Sequence, residues 1–91
     1  MNKILVRFVT RIQDLRHEKR LSQITLSERT GLHLTHISLI ELGKCAPNLK
    51  TINRLSKGLR TPLWEIFLGM ETHRNLPTIT RLQANGYVRS G

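Results

Sequence analysis

The side chains that could carry out chemistry are four histidines, one cysteine and six acidic residues in a chain of 91 residues. His33 and His36 lie three residues apart and Cys45 follows, but this spacing does not complete the four-ligand set of a zinc site. The acidic residues are scattered, without a carboxylate pair, and there is no glycine-rich phosphate loop. The sequence therefore predicts neither an enzyme nor a metal or cofactor site.

The charge balance is the strongest compositional signal. Fifteen Lys and Arg residues stand against six Asp and Glu, for a formal net charge of +9. A small domain this basic suits a polyanionic partner, above all a nucleic acid. A membrane surface and a basic domain without any polyanionic partner are the alternatives.

Length and composition indicate one small domain with an aliphatic core, because hydrophobic residues make up 38% of the chain and aromatic residues only 4%. The single cysteine excludes an intrachain disulfide and fits a reducing, cytoplasmic setting. Arg7 and Arg11 interrupt the apolar N-terminus, which is too short and too charged for a signal segment or a membrane span.

Two short amphipathic runs on either side of Gly31 predict a helix-turn-helix. Ser22 is a good N-cap for the first of these helices, which should end near Thr30, and Gly31 permits the tight turn. The next helix should run from His33 or Leu34 to Leu42. The apolar residues of these runs are Ile24, Leu26, Leu32, Ile37 and Ile40. Ile37 and Ile40 should face inward, with Leu32 packing just before them. In such a motif the second helix can enter a DNA major groove.

The helical wheel places Thr35, Ser38, Leu39 and Leu42 on the face opposite Ile37 and Ile40, with Leu34 to one side. Hydroxyl groups can bond base edges, whereas leucines can touch only thymine methyl groups. His36 lies beside this face, where it would meet a phosphate or solvent. Gln23, at the first position of the preceding helix, could hold a phosphate beside the free backbone amides.

Three further helices should surround the motif. The first should run from an N-cap at Asn2 to about Lys19, the fourth from an N-cap at Asn48 to about Leu59, and the fifth from Thr61, with Pro62 at its first position. The predicted core positions of the first helix are Leu5, Phe8, Val9, Ile12 and Leu15, and those of the fourth are Leu49, Ile52, Leu55 and Leu59. Ser27 is small where two helices approach.

Lys3, Arg7 and Arg11 are four residues apart and should form a basic stripe on the first helix. Phosphate contact and a solvated surface are both open for this stripe.

The fifth helix is apolar almost all round, which a short helix in a domain this small cannot bury. Trp64, Phe67 and Leu68 are therefore predicted to meet a second subunit, with completion of the core as the alternative. Residues 71–91 hold few large apolar side chains and carry turn signals, so they are expected to form a C-terminal tail or dimerisation arm after a domain of residues 1–70.

Separate segments of the chain together resemble the phage repressor and Cro-like (Xre-type) helix-turn-helix family. They are Arg11-Ile12-Gln13-Asp14-Leu15-Arg16, Leu21-Ser22-Gln23, Thr30-Gly31-Leu32, Ile37-Ser38-Leu39-Ile40-Glu41-Leu42-Gly43-Lys44, and Pro47-Asn48-Leu49-Lys50-Thr51-Ile52 onward to Leu63. The resemblance covers roughly residues 8 to 69, and it implies an all-α, five-helix, lambda-repressor-like domain that binds operator DNA as a homodimer.

The resemblance also implies roles by position. Arg16 and Glu41 look like a structural ion pair between the first and third helices. The implied base-contacting residues are Leu34, Thr35, Ser38 and Leu39, and the implied phosphate-contacting residues are Ser22, Gln23, His36, Lys44, Asn48 and Lys50. Two departures stand out, since Ser27 replaces an alanine and needs a hydrogen bond, while Leu34 and Leu39 replace polar readers.

We therefore expect a sequence-specific, DNA-binding transcriptional regulator, a repressor or controller protein, that binds double-stranded DNA. The alternative is an antitoxin-type module of a toxin–antitoxin pair, which would hold a protein partner through the fifth helix or the tail. Nonspecific binding to nucleic acid through the basic stripe is a third hypothesis.

Overall fold

A computed structural model describes residues 2–72 of the chain, and every regular element in that range is an α-helix. The predicted all-α, five-helix architecture is confirmed. The helices are α1 (Lys3–Glu18), α2 (Gln23–Thr30), α3 (Leu34–Glu41), α4 (Leu49–Leu59) and α5 (Leu63–Thr72). None of these helices is long and apolar enough to cross a membrane. From residue 73 onward, the predicted tail or arm lies outside the described residues.

Local capping groups fix where three of the helices begin. The side-chain oxygen of Asn2 accepts from the amides of Ile4 and Leu5, at 2.8 and 3.1 Å. Ser22 and Asn48 accept in the same way at the starts of α2 and α4, at 3.0 and 2.9 Å. Each bond satisfies an amide that the first helical turn leaves without a partner, so these boundaries follow from the sequence nearby.

The core is aliphatic and takes side chains from all five helices. Its most deeply buried members are Ile12, Leu26, Ile37, Ile40, Leu55, Leu59 and Ile66. Each such side chain contributes on the order of 1.5–3 kcal/mol to folding. Leu49 was predicted to belong to this core, but it is 78% exposed. It occupies the first position of α4, where the helix has not yet reached the neighbouring helices, so helical spacing alone misplaced it.

The junction between α4 and α5 differs from the prediction at Thr61. Arg60 ends α4 in the left-handed conformation, with φ of 54°. The chain then turns so that Thr61 is buried and its hydroxyl donates to the carbonyl of Leu59 at 3.1 Å. The carbonyl of Pro62 accepts the first helical bonds of α5, from the amides of Glu65 and Ile66. Thr61 therefore closes α4 instead of capping α5.

Arg11 does not belong to a free basic stripe. Lys3 and Arg7 are exposed, but Arg11 is half-buried against α5. Its Nε donates to the carbonyl of Ile66 at 3.2 Å and its Nη2 to that of Glu65 at 3.0 Å. A methyl group on Gly69 would overlap the guanidinium, so the glycine provides the space that it occupies. Arg11 thus fastens α1 to α5, a role that the sequence pattern did not predict.

Gly58 gives a test of the close contact between α2 and α4. In an open helix Gly→Ala would stabilise by about 1 kcal/mol. Here the added methyl would overlap Cγ2 of Thr30 and lie 3.2 Å from Cδ1 of Leu26. We expect Gly58→Ala to lower the free energy of unfolding by about 1–3 kcal/mol in urea denaturation, because overpacking outweighs helix propensity.

Thr30→Ser removes the obstructing methyl and keeps the hydroxyl, so the pair Gly58→Ala with Thr30→Ser should recover most of that loss. The exposed neighbour Lys57→Ala is the control and should be nearly neutral. A Gly58→Ala protein as stable as the wild type would contradict the close packing.

Candidate nucleic-acid interface

A buried carboxylate joins the first helix to the helix-turn-helix. Nε and Nη2 of Arg16 donate to the two oxygens of Glu41 at 2.7 and 2.9 Å, and both side chains are largely shielded from solvent. This two-point geometry fixes the direction of both groups as well as their separation. The ion pair thereby sets the position of the end of α3 against α1.

The same carboxylate also binds the start of α2, since Nε2 of Gln23 donates to Oε1 of Glu41 at 3.0 Å. Gln13 on α1 donates to the main-chain carbonyl of Glu41 at 2.7 Å, and Nη1 of Arg16 donates to the carbonyl of Leu21 at 2.9 Å. Gln23 is half-buried, and one of its two amide hydrogens is used by Glu41. The second hydrogen can be offered to a phosphate.

Hydroxyl groups fix the turn between α2 and α3. Ser27 donates to the carbonyl of Leu32 at 2.6 Å, which supplies the hydrogen bond that this serine requires. Thr30 donates to the carbonyl of Leu26 and accepts from the amide of Leu32, at 2.8 and 3.1 Å. Gly31 between them has φ of 77°, a left-handed conformation that favours glycine. These bonds hold the two helices at a fixed angle.

The outward side of α3 carries the four residues predicted to contact bases. Leu34, Thr35 and Leu39 are exposed and Ser38 is half-buried, while Ile37 and Ile40 point into the core. The structure thus places the four on one accessible surface made of hydroxyl and aliphatic groups. Base contact itself stays a prediction.

The residues predicted to contact phosphates lie around that helix. Lys44, Asn48 and Lys50 are exposed in and after the loop that follows α3, and His36 is half-buried on α3. Ser22 is exposed, but its hydroxyl accepts from the amide of Thr25 and donates to Oγ1 of Thr25, each at 3.0 Å. A phosphate contact by Ser22 therefore requires the main-chain amide or a rotated hydroxyl.

His33 has a structural role that the sequence did not reveal. Its Nδ1 accepts from the amide of Thr35 at 3.2 Å and so caps α3. Histidine is not among the preferred capping residues, which is why the pattern gave no signal for this role. Within residues 2–72, no three side chains of the His, Cys, Asp and Glu types lie close enough together to hold a metal ion.

The predicted dimer residues lie on the outer side of α5. Trp64 is 66% exposed, and Phe67 and Leu68 are also accessible, whereas Ile66 and Met70 on the inner side are buried. One side of this helix therefore completes the core and the other leaves an apolar surface on the single chain, while contact with a second subunit stays a prediction.

Comparisons with known proteins agree with this geometry. A sequence model described as "Helix-turn-helix" matches residues 12–65. A control protein, C.MunI of a Mycoplasma species, is 38% identical over 72 residues, which cover 78% of this chain and 97% of that protein. A crystal structure of a mutant of the restriction-modification controller protein C.Esp1396I superposes with a TM-score of 0.78 at 25% identity. That match covers 80% of this chain and 92% of the other.

The buried carboxylate gives the second test. Glu41→Ala would leave the guanidinium of Arg16 buried without its partner, so we expect the free energy of unfolding to fall by about 3–5 kcal/mol. Chemical denaturation followed by circular dichroism measures this loss. Glu28→Ala removes an exposed carboxylate from α2 and is the matched control, with little expected change. Equal effects of the two substitutions would contradict the structural importance of the pair.

Proposed function

Because this chain belongs to the helix-turn-helix family of DNA-binding transcriptional regulators, we propose that it is a controller protein that binds operator DNA as a homodimer. The observation that carries the proposal is the exposed face of α3, held rigidly by Glu41, on a chain with a net charge of +9. The relatives are named as a control protein and a restriction-modification controller protein. These names do not favour the antitoxin alternative.

In the proposed complex α3 lies in the major groove, and Leu34, Thr35, Ser38 and Leu39 face the base edges. Gln23 offers its remaining amide hydrogen to the backbone at the start of α2, where the helix dipole also favours a phosphate. The exposed Lys44 and Lys50 contribute charge to the same backbone contacts. Because the family consists of DNA-binding regulators, we assign no catalytic role to the chain and place its action in the cytoplasm, with the DNA.

The proposed homodimer uses the exposed apolar surface of α5. An apolar hollow of about 230 Å³ adjoins this surface. The start of α1, α5 and the residues Ala46, Pro47 and Ile52 line it, and Phe67 belongs both to the hollow and to the exposed surface. A two-fold interface brings the same patch of both copies together, so a surface with a protruding ring at Trp64 and a nearby hollow can be self-complementary. Aromatic residues of this kind are enriched at the centres of such interfaces.

Selection of binding sites from random duplex DNA tests the DNA-binding proposal. We expect one motif with two half-sites about 34 Å apart, which is one helical turn of DNA. The affinity should fall steeply between low and physiological salt, since phosphate contacts release counterions. Thr35→Ala should change the preferred base at particular positions. Lys50→Ala should weaken binding to all sequences alike, and it should reduce the slope of log affinity against log salt concentration by about one.

A flat salt response, or the absence of a selected motif, would contradict the proposed function. The same motif from Thr35→Ala as from the wild type would remove Thr35 from the base-contacting set.

Sedimentation tests the dimer. At micromolar concentration the wild-type chain should sediment with twice the chain mass, and Trp64→Glu or Leu68→Glu should shift it to the monomer, because a charge cannot be buried at an apolar interface without a partner. Leu49→Glu places the same charge on an exposed leucine of α4 and should leave the dimer intact. A wild-type monomer at this concentration would count against dimerisation through α5.

A further inference from the structure

Leu42 is an exposed leucine at the end of α3, on the outward face that the helical wheel predicted, but it is not among the four residues proposed above to face the base edges. It is 60% exposed, whereas Leu39, one turn earlier, is 38% exposed. It caps the helix in a right-handed helical conformation, so the direction of its side chain still follows the helical repeat. Thr35 lies seven residues earlier, and seven residues return the helix to within about 20° of the same direction. Leu42 therefore extends the Thr35 face by two turns.

The face formed by Thr35, Leu39 and Leu42 has a definite chemistry. Its outermost atoms are three aliphatic groups and one hydroxyl, with the hydroxyl of the half-buried Ser38 beside them, and it presents no side chain that could make a bidentate bond to a base. In the major groove, the feature that an aliphatic side chain can distinguish is the C5 methyl group of a pyrimidine. Thymine carries this methyl group, cytosine lacks it, and 5-methylcytosine carries it at the same position.

We propose that Leu42, together with Leu39, determines sequence preference by packing against pyrimidine C5 methyl groups, so that the protein responds to 5-methylcytosine as it does to thymine at those positions. The occupant of this apolar surface is then DNA and not a second protein. The surface is continuous with the proposed base-contacting residues, and the exposed cation Lys44 follows only two residues after Leu42. This inference rests on the proposed function and names the chemical group that α3 recognises.

Modified bases isolate the methyl group from every other feature of the base pair. The probe is the duplex obtained by binding-site selection, with uracil replacing one thymine at a time. Wild-type affinity should fall about fourfold at each position that faces Leu39 or Leu42, the factor expected from losing the burial of one methyl-sized group. At the same positions, a 5-methylcytosine–guanine pair should bind about fourfold more tightly than a cytosine–guanine pair.

Variants assign each methyl group to a side chain. Leu42→Ala should bind the thymine and uracil duplexes equally at its own position and keep the methyl dependence at the position of Leu39. Leu39→Ala should give the converse result. Val6→Ala truncates an exposed aliphatic side chain on α1, outside the proposed DNA and dimer surfaces, and should leave every thymine-to-uracil affinity ratio unchanged. Because Leu42 is mostly exposed, Leu42→Ala should melt close to the wild type, which a thermal scan checks.

Three outcomes would overturn the inference. One is a selected motif without pyrimidine methyl groups in its half-sites. Another is a wild-type protein that prefers its motif yet binds the thymine and uracil duplexes equally. The third is a Leu42→Ala protein that loses affinity for both duplexes by the same factor, which would indicate a protein contact at Leu42. In all three cases the proposed function survives, whereas a wild-type chain without any preference for its selected duplex contradicts both.

Discussion

The hydrogen bonds of the buried Glu41 carboxylate are the interaction on which the position of α3 depends. The carboxylate accepts two hydrogen bonds from Arg16 on α1 and one from Gln23 on α2. The main-chain carbonyl of Glu41 accepts a further hydrogen bond from Gln13. A charged group can be buried at acceptable free energy only when its hydrogen-bonding capacity is met. The same requirement makes the position of α3 specific, since moving the helix by an ångström or two would break several of these bonds together.

Much of the fold could be predicted from the sequence because its determinants are local. Asn2, Ser22 and Asn48 cap their helices through neighbouring amides, and Gly31 takes the left-handed conformation that its turn requires. Helical spacing also identified most core positions correctly. It failed at Leu49, because periodicity describes the direction of a side chain and not whether another helix lies in that direction.

The parts that the sequence did not predict depend on contacts between distant residues. In the sequence, Arg11 looks like part of a charged stripe. In the structure its hydrogen-bond partners are main-chain carbonyls more than fifty residues away along the chain. Gln13 likewise looks like an ordinary surface residue in the sequence, although in the structure it donates to the carbonyl of Glu41 on α3. Main-chain acceptors are the same for every residue type, so no pattern of side chains marks them. The predicted base-contacting residues do share one face of α3, because they lie on a single helix at successive steps of one, three and one residues.

The contacts of α1 have a consequence for the separation of the two half-sites that the proposed dimer can bind. Arg11 attaches this helix to α5, which carries the proposed dimer surface, and Arg16 attaches it to Glu41 at the end of α3. The two arginines are five residues apart, a rise of about 7.5 Å along a helix. In the proposed dimer, α1 therefore acts as a rigid spacer between the two-fold axis and each copy of α3. The separation of operator half-sites that the protein accepts is then a mechanical property of α1, although this helix supplies none of the proposed base contacts.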